Sequence, residues 1–462
     1  MTDVAIVGGG IAGLATAHEL SRRGISYVLL ERGSRVGGVI LSEDVDGFVV
    51  DGGPDALLIQ KPDGIRLCEE LGLGGRLVTT KLPRLAYIQR GGRLHALPAA
   101  SVLGIPTRFG PFVRTRLFSW PGKVRMGAEL FVPTRADDSD ESIGAFMARR
   151  FGREAVTYLA EPLLAGIHAG DVDRLSIRAL FPRFVEAERK HGSLLRAFRN
   201  QQSIRNPQSA IRNDEGAFKS LPGGLSEMVR ALVAALPAGS ICLNSAVTRV
   251  SGSSPYQVER ADGSRLDARA LVLATPAFVT SEMTKDFDAD LSRTCGGINY
   301  ASAATVALAF RRDSVAHPLN GSGFVVPRAE NSGIMAGSWL SSKWPHRTPD
   351  DHHVLLRAFV GGARDPQALE LSDAELVSRS MNALQPLLGI RGQPLFSRIY
   401  RWPRANAQHE VGHLDRVAAI ERAVARHPGL FVTGSAYRGT GIPDCVADGR
   451  ATAAQVTKWL TA

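Results

Sequence analysis

The sequence predicts an α/β fold, and two observations near its start predict it. Val4-Ala5-Ile6-Val7 is an apolar run suited to a buried strand, and it enters Gly8-Gly9-Gly10-Ile11-Ala12-Gly13-Leu14. A second apolar strand, Ser26 to Leu30, then ends on the acidic Glu31. Between them Ala15 to Arg23 continues as a helix and Gly24 stops it. Strand, glycine turn, helix and strand in this register form a dinucleotide cradle. Gly8 permits the tight turn, Gly10 leaves room for a pyrophosphate, and Gly13 lets the helix pack on the strand with its N-terminus facing the phosphates. Glu31 is placed to bind ribose hydroxyls.

NAD and FAD both fit that unit. The extension separates them: Arg32-Gly33-Ser34-Arg35-Val36-Gly37-Gly38 follows the acid, and Gly47-Phe48-Val49-Val50-Asp51-Gly52-Gly53-Pro54 adds a second glycine cluster. This pattern resembles the two-dinucleotide flavoproteins. The resemblance implies FAD, with Arg35, Gly37 and Gly38 extending the phosphate site and Gly52, Gly53 and Pro54 letting backbone pass close to the isoalloxazine ring. Nothing after Glu31 repeats the fingerprint, so no NADPH domain is expected, and electrons should leave to oxygen or another small acceptor.

The chain resumes nucleotide-domain style at Leu221. Leu225 to Leu236 reads as an amphipathic helix and Ile241 to Val250 as a strand. A hairpin turns at Asp262-Gly263, and Ala270 to Pro276 follows as a buried strand and loop. Gly429 to Gly434 is another buried strand, and Gly439-Thr440-Gly441-Ile442-Pro443-Asp444 opens the final helix. A helix N-terminus preceded by glycines invites an anion. Both ends of the chain thus address one cofactor, and the middle supplies the substrate side.

With 462 residues the chain is long for one core, so two or three subdomains are expected. A hydrophobic share of 44% against 22% charged residues excludes a disordered chain. The scattered Cys68, Cys242, Cys295 and Cys445 indicate buried free thiols, with neither a disulfide framework nor a metal site. No apolar run reaches membrane-spanning length and no charged leader precedes the nucleotide strand, so a cytoplasmic protein is expected. The net charge of +10 suits an acidic small substrate or anionic lipid, and no nucleic-acid module is visible. The stretch Arg108, Phe109, Phe112, Arg114, Arg116, Leu117, Phe118, Trp120, Lys123, Arg125, with Phe131 beyond, interleaves basic and aromatic residues. It fits either peripheral contact with the inner membrane surface or a helical hairpin packed on the protein with snorkelling arginines.

Several more segments carry a family likeness. They are Glu161-Pro162-Leu163-Leu164-Ala165-Gly166-Ile167-His168-Ala169-Gly170-Asp171, Leu175-Ser176 to Phe181-Pro182, Arg401-Trp402 with Gly412-His413-Leu414, and Gly441-Ile442-Pro443-Asp444-Cys445. Along nearly its full length the chain resembles the FAD-dependent porphyrinogen oxidases of haem synthesis. Gly104-Ile105-Pro106-Thr107 and Ser338-Trp339 through Lys343-Trp344-Pro345-His346 look most like the soluble, Gram-positive type, which acts on coproporphyrinogen III. Protoporphyrinogen IX is the alternative substrate. Four carboxylates against two favour the former for a strongly basic protein. A flavin amine oxidase is a weaker alternative, because the aromatic cage before the flavin is not evident.

The resemblance implies a non-covalently bound FAD within an amine-oxidase-like architecture. It divides into an FAD-binding domain over 1–50, 221–285 and 403–462, a mixed-sheet substrate domain over 51–90, 206–220 and 286–402, and a helical subdomain over 91–205. Flavin contacts are expected at Gly8, Gly9, Gly10, Ile11, Ala12, Gly13, Glu31, Arg32, Arg35, Gly37, Gly38, Gly52, Gly53, Pro54, Val247, Trp402, Gly434, Gly441, Ile442 and Pro443. Gly166, Ile167, Ala169, Val325 and Phe359 would line the porphyrinogen cavity, and Lys61 would pair with a substrate carboxylate. Ser322 stands where some members carry an aromatic residue, which weakens the case for an aromatic clamp. The implied chemistry removes six electrons in three steps and returns them to O2 as hydrogen peroxide. It needs no dedicated base, and His168 is expected to face away from the substrate. A monomer or homodimer, with handover of product to other haem-pathway enzymes, completes the expectation.

Overall fold

The computed structural model describes residues 1–97, 101–102, 105–106, 109–203 and 216–462. Gly104, Thr107, Arg108 and residues 206–215, which enter the expectations above, lie outside the described residues.

Strand β1 (Thr2–Val7) leads through the glycine turn into helix α1 (Ile11–Arg22), and β2 (Tyr27–Leu30) returns parallel to β1, pairing Val4 with Tyr27 through Val7 with Leu30. β1 has four wholly or almost wholly buried residues, Val4 to Val7, as an apolar run covered on both faces requires. On its other side β1 pairs in parallel with Arg265–Leu273. That long strand unites two elements expected to be separate, the second arm of the hairpin and the buried strand after it. Its far edge is shared: the hairpin strand Tyr256–Arg260 pairs with its first half, and Leu430–Val432 with its second. The expected strand from Ile241 to Val250 is broken into Ile241–Cys242 and Val247–Gly252. Asn244, with φ of 52°, makes the turn between them.

The last helix, Ile442–Leu460, lies against α1. Gly449 permits this approach, since a Cβ there would strike the Ala12 carbonyl, and Thr16 Oγ1 bonds both Ala12 O (2.9 Å) and Gly449 O (3.1 Å).

A second seven-stranded sheet contains, among others, Ala86–Arg90, Tyr300–Arg311, Gly323–Val325, Ala336–Trp339, His353–Gly361 and Phe396–Ala407. Alternation assigns its faces. Val306, Leu308, Leu356 and Val360 join a core with Leu376, Leu384 and Leu388 of the helix Asp373–Leu388. The other face carries Thr305, Phe359, Ala336, Val325 and Tyr400, which the cross-strand pairs Thr305 with Phe359 and Tyr400, and Ala336 with Phe359 and Val325, set side by side.

Helices between 109 and 203 pack around Phe146, Phe151, Leu159, Leu164 and Phe184. Within the basic-aromatic stretch, Phe112, Leu117 and Phe118 join this core, whereas Trp120, Val124 and Phe131 are 66%, 71% and 83% exposed. Lys123 is also drawn inward, its Nζ reaching Val113 O at 2.7 Å. Among the described residues no helix is long and apolar enough to cross a membrane.

Candidate functional site

The β1–α1 turn has the sterics of a phosphate cradle. Gly8 has a φ of 108°, and a Cβ there would meet Ala274 O at 2.6 Å. A Cβ on Gly13 would collide with the Gly8 carbonyl, whereas one on Gly10 would enter open space. α1 begins at Gly10 with no side-chain cap and no acidic residue in its first turn, so its amide groups and dipole are left for an anion. Glu31 braces the turn: Oε2 accepts from Gly9 N (2.7 Å) and Oε1 from Gly33 N (2.8 Å). Gly37 N donates to Gly9 O (2.8 Å), and Gly38 lies beside Gly10. Ser245 N donates to Glu31 O (2.8 Å), which brings the segment leading into Val247 alongside the acid. The Arg35 guanidinium is turned onto its own loop, at Gly38 O (2.6 Å) and Ile40 O (3.1 Å), whereas Arg32 is exposed.

The second glycine cluster is gripped by the second sheet. Gly52 O accepts from Thr305 Oγ1 (2.6 Å) and Trp402 Nε1 (2.8 Å), and a Cβ on Gly52 would run into the Tyr400 ring. Arg357, 2% exposed, donates through Nη1 to Asp51 O and Gly53 O, both at 2.7 Å, and through Nη2 to Asp55 (3.1 Å). Burial by itself would raise the Asp55 pKa, but Lys343, Arg357 and the Trp344 indole outweigh it and hold the carboxyl below its usual range. Asp51 shows the opposite balance, since burial pushes its pKa up despite Arg347 at 3.0 Å. Arg357, Thr305, Asp55 and Arg347 were not identified from sequence. They sit in ordinary strand and loop patterns, and only the pairing of distant segments brings them to the Gly52 turn.

The third part of the site is the C-terminal loop. Gly434 N donates to Asp448 (3.1 Å), which also accepts from Thr433 Oγ1 (2.7 Å) and Arg438 (2.8 Å). Gly441 precedes the last helix and Pro443 occupies its first turn.

On the substrate side, a π-helical stretch, Val156–Ala160, runs into the helix Glu161–His168. Gly166 faces the second sheet, where a Cβ would come 3.1 Å from Val325 and 3.9 Å from Ala336. Gly166 therefore approaches Val325 and Ala336 between this helix and the sheet, and Phe359 stands beside Ala336 on the same sheet face. Ala169 ends the helix with φ of 50°, and its carbonyl accepts from Ala363 N (2.7 Å). Ile167 points outward, 59% exposed. Lys61 is elsewhere, in a bidentate pair with Asp444 (2.7 Å to each oxygen) at the start of the last helix. His168 Nδ1 lies 3.4 Å from Thr440 Oγ1, and burial assisted by the Lys61 charge pulls its pKa down to about 4, so the ring is neutral.

The uncapped helix start and the glycine turn fit a bound dinucleotide. Residues 11–457 match the family model for flavin containing amine oxidoreductases, and the chain belongs to that family, with FAD as its cofactor. Within it the chain falls among the porphyrinogen oxidases. It is 35% identical to the coproporphyrinogen III oxidase of Bacillus subtilis, over 99% of this chain and 98% of the relative. It is 27% identical to a mitochondrial protoporphyrinogen oxidase of Nicotiana tabacum, over 99% and 95% of the two chains. An Exiguobacterium crystal structure, provisionally named a protoporphyrinogen oxidase, matches with a TM-score of 0.87 and 32% identity, covering 100% of this chain and 99% of that one.

Proposed function

We propose that the protein oxidises coproporphyrinogen III to coproporphyrin III. The observation that carries this reading is the full-length 35% identity to a coproporphyrinogen III oxidase. The net charge of +10 supports a tetracarboxylate over a dicarboxylate. The balance is coproporphyrinogen III plus three O2 giving coproporphyrin III plus three H2O2. FAD, once bound, would supply the two-electron redox chemistry that each of the three steps needs, with O2 as the final acceptor.

The chain's own residues hold and orient. The uncapped start of α1 and the Gly8 to Gly13 turn take the pyrophosphate, Glu31 takes the ribose through the lone pairs its two amide bonds leave free, and the approach to Val247 borders the adenine. Gly52 to Pro54, Trp402, Gly434 and Gly441 to Pro443 place the ring end. Gly166, Ala169, Val325 and Phe359 form the wall for the macrocycle, where small or flat residues leave room for it. Lys61 exchanges its Asp444 partner for a substrate carboxylate. The exposed Trp120, Val124 and Phe131, flanked by Arg114 and Arg116, provide peripheral contact with an anionic membrane surface. The sheet anchored on β1 forms the FAD domain, the second sheet the substrate domain, and product passes on to the next haem-pathway enzyme.

Protoporphyrinogen IX oxidation is the second reading, favoured by the provisional name of the Exiguobacterium structure. A fluorescence assay under air, offering each porphyrinogen separately with spontaneous oxidation subtracted, tests the choice. A several-fold higher kcat/KM with coproporphyrinogen is expected, and equal or reversed preference overturns it.

A further inference from the structure

Between the strand Phe396–Ala407 and the helix His413–Ala425, a short crossing with Gln408 and His409 buried in it touches both the Gly166 helix and the C-terminal loop. Gln408 Nε2 donates to His168 O (3.0 Å), at the end of the Gly166 helix. His409 O accepts from Ser176 N (2.8 Å), and Gly412 N donates to Asp140 (3.1 Å), fastening the crossing to the helical region.

Two histidines of this crossing face the C-terminal loop. His409 is 2% exposed and His413 fully buried, and their rings stack with centroids 3.8 Å apart at 11°. His409 Nε2 lies 3.0 Å from Ser435 O, and His413 Nε2 lies 3.0 Å from Tyr437 O. A carbonyl oxygen can only accept, so both Nε2 atoms carry a hydrogen. The buried His413 Nδ1 has no hydrogen-bond partner, which is the state of a neutral ring. Burial, aided by the neighbouring His413, pulls the His409 pKa down to about 3, and burial lowers that of His413. Two neutral rings can stack at this distance where two charged ones would repel.

The geometry has a use. Carbonyls two residues apart are held from one side, while Asp448 holds Gly434 N at the loop's entry. We propose that His409 and His413 are positioning residues for the flavin, a paired clamp that fixes the path of the loop from Gly434 to Gly441. Through Gln408 the same crossing sets that loop relative to the Gly166 helix. The inference rests on the reading that this loop contacts FAD.

The test uses the full chain, stripped of FAD and titrated with it by flavin fluorescence and visible absorbance. Glutamine places its amide N–H close to where Nε2 stands, whereas phenylalanine keeps a stackable ring and removes the donor. His409→Phe and His413→Phe are each expected to weaken FAD binding about tenfold and to shift the bound-flavin absorbance. His409→Gln and His413→Gln should stay within about twofold of the parent. If the Phe variants do not fold, His409→Asn and His413→Asn, whose amides stop short of the carbonyls, should show the tenfold loss. Gly441→Val reports on the loop reading independently. No loss of FAD affinity in Gly441→Val would sink that reading. A loss there, with Phe variants at parental affinity or Gln variants no better than Phe, would overturn the clamp.

Discussion

Replacing Arg357 with methionine isolates the brace of the Gly52 turn. The side chain is buried and makes three hydrogen bonds, to Asp51 O, Gly53 O and Asp55. Methionine refills most of the aliphatic volume, so the cavity contribution is small. Asp55 keeps Lys343 and Trp344, both at 2.7 Å, and so is not left as an isolated charge. The loss is then chiefly the two carbonyl partners, each bond to a charged group contributing about 1.5–3 kcal/mol. Two such bonds set the destabilisation at about 3–6 kcal/mol. The same carbonyls define the turn expected beside the flavin ring, so FAD affinity should fall about tenfold. Arg357→Lys should recover only part, since one ammonium cannot span three acceptors held by a guanidinium fork. Urea unfolding and FAD titration of the two variants measure both effects. A methionine variant within about 1 kcal/mol of the parent, with parental FAD affinity, would refute the bracing role.

Three further expectations follow from the geometry. Gly13→Ala drives a Cβ into the Gly8 carbonyl and should abolish retention of FAD through gel filtration, read as loss of flavin absorbance in the protein peak. Gly166→Val adds branches to a position already 3.1 Å from Val325, so KM for the porphyrinogen should rise at least tenfold while the bound-flavin spectrum stays parental. His168, His409 and His413 titrate below their ordinary value in the folded protein, so the unfolded chain binds more protons as pH falls from 6.5. The contributions of His168 and His409 are complete above about pH 6.5 and are lost on descent toward pH 4 and 3 respectively, at about 1.4 kcal/mol per pH unit for each proton, and that of His413 has the same sign. Unfolding free energy measured between pH 7 and 4.5 should show this slope, and His168→Gln should shrink it by one proton.

The nucleotide unit was readable because its chemistry is local. β1, the glycine turn, α1, β2 and Glu31 follow one another along the chain, and Gly8, Gly9 and Gly13 each answer a contact made within or near that unit. Gly166 and Val325 were named together through family likeness alone, and the structure shows that they are neighbours, a Cβ on Gly166 falling 3.1 Å from Val325. The brace at Gly52 left no such trace: Thr305 and Arg357 are unremarkable members of apolar strands, 253 and 304 residues from the carbonyls they hold. Lys61 shows the converse. Its charge was visible in sequence, but Asp444 lies 383 residues away and no pattern announces the pair. The break at Asn244 was missed because the residues on either side keep strand character.

The sharing of one edge of Arg265–Leu273 by Tyr256–Arg260 and Leu430–Val432 bears on how the protein is made. During synthesis the first half of that strand can find its hairpin partner at once, while the far edge of the second half stays open until Leu430–Val432 has been made. The last helix, which must dock on α1 across Gly449, arrives later still. Long-range closure of this kind is slow and leaves apolar surface open meanwhile. The sheet behind the Gly8 to Gly13 cradle thus closes only when Leu430–Val432 and the helix Ile442–Leu460 are in place, although the cradle's own residues lie hundreds of positions earlier.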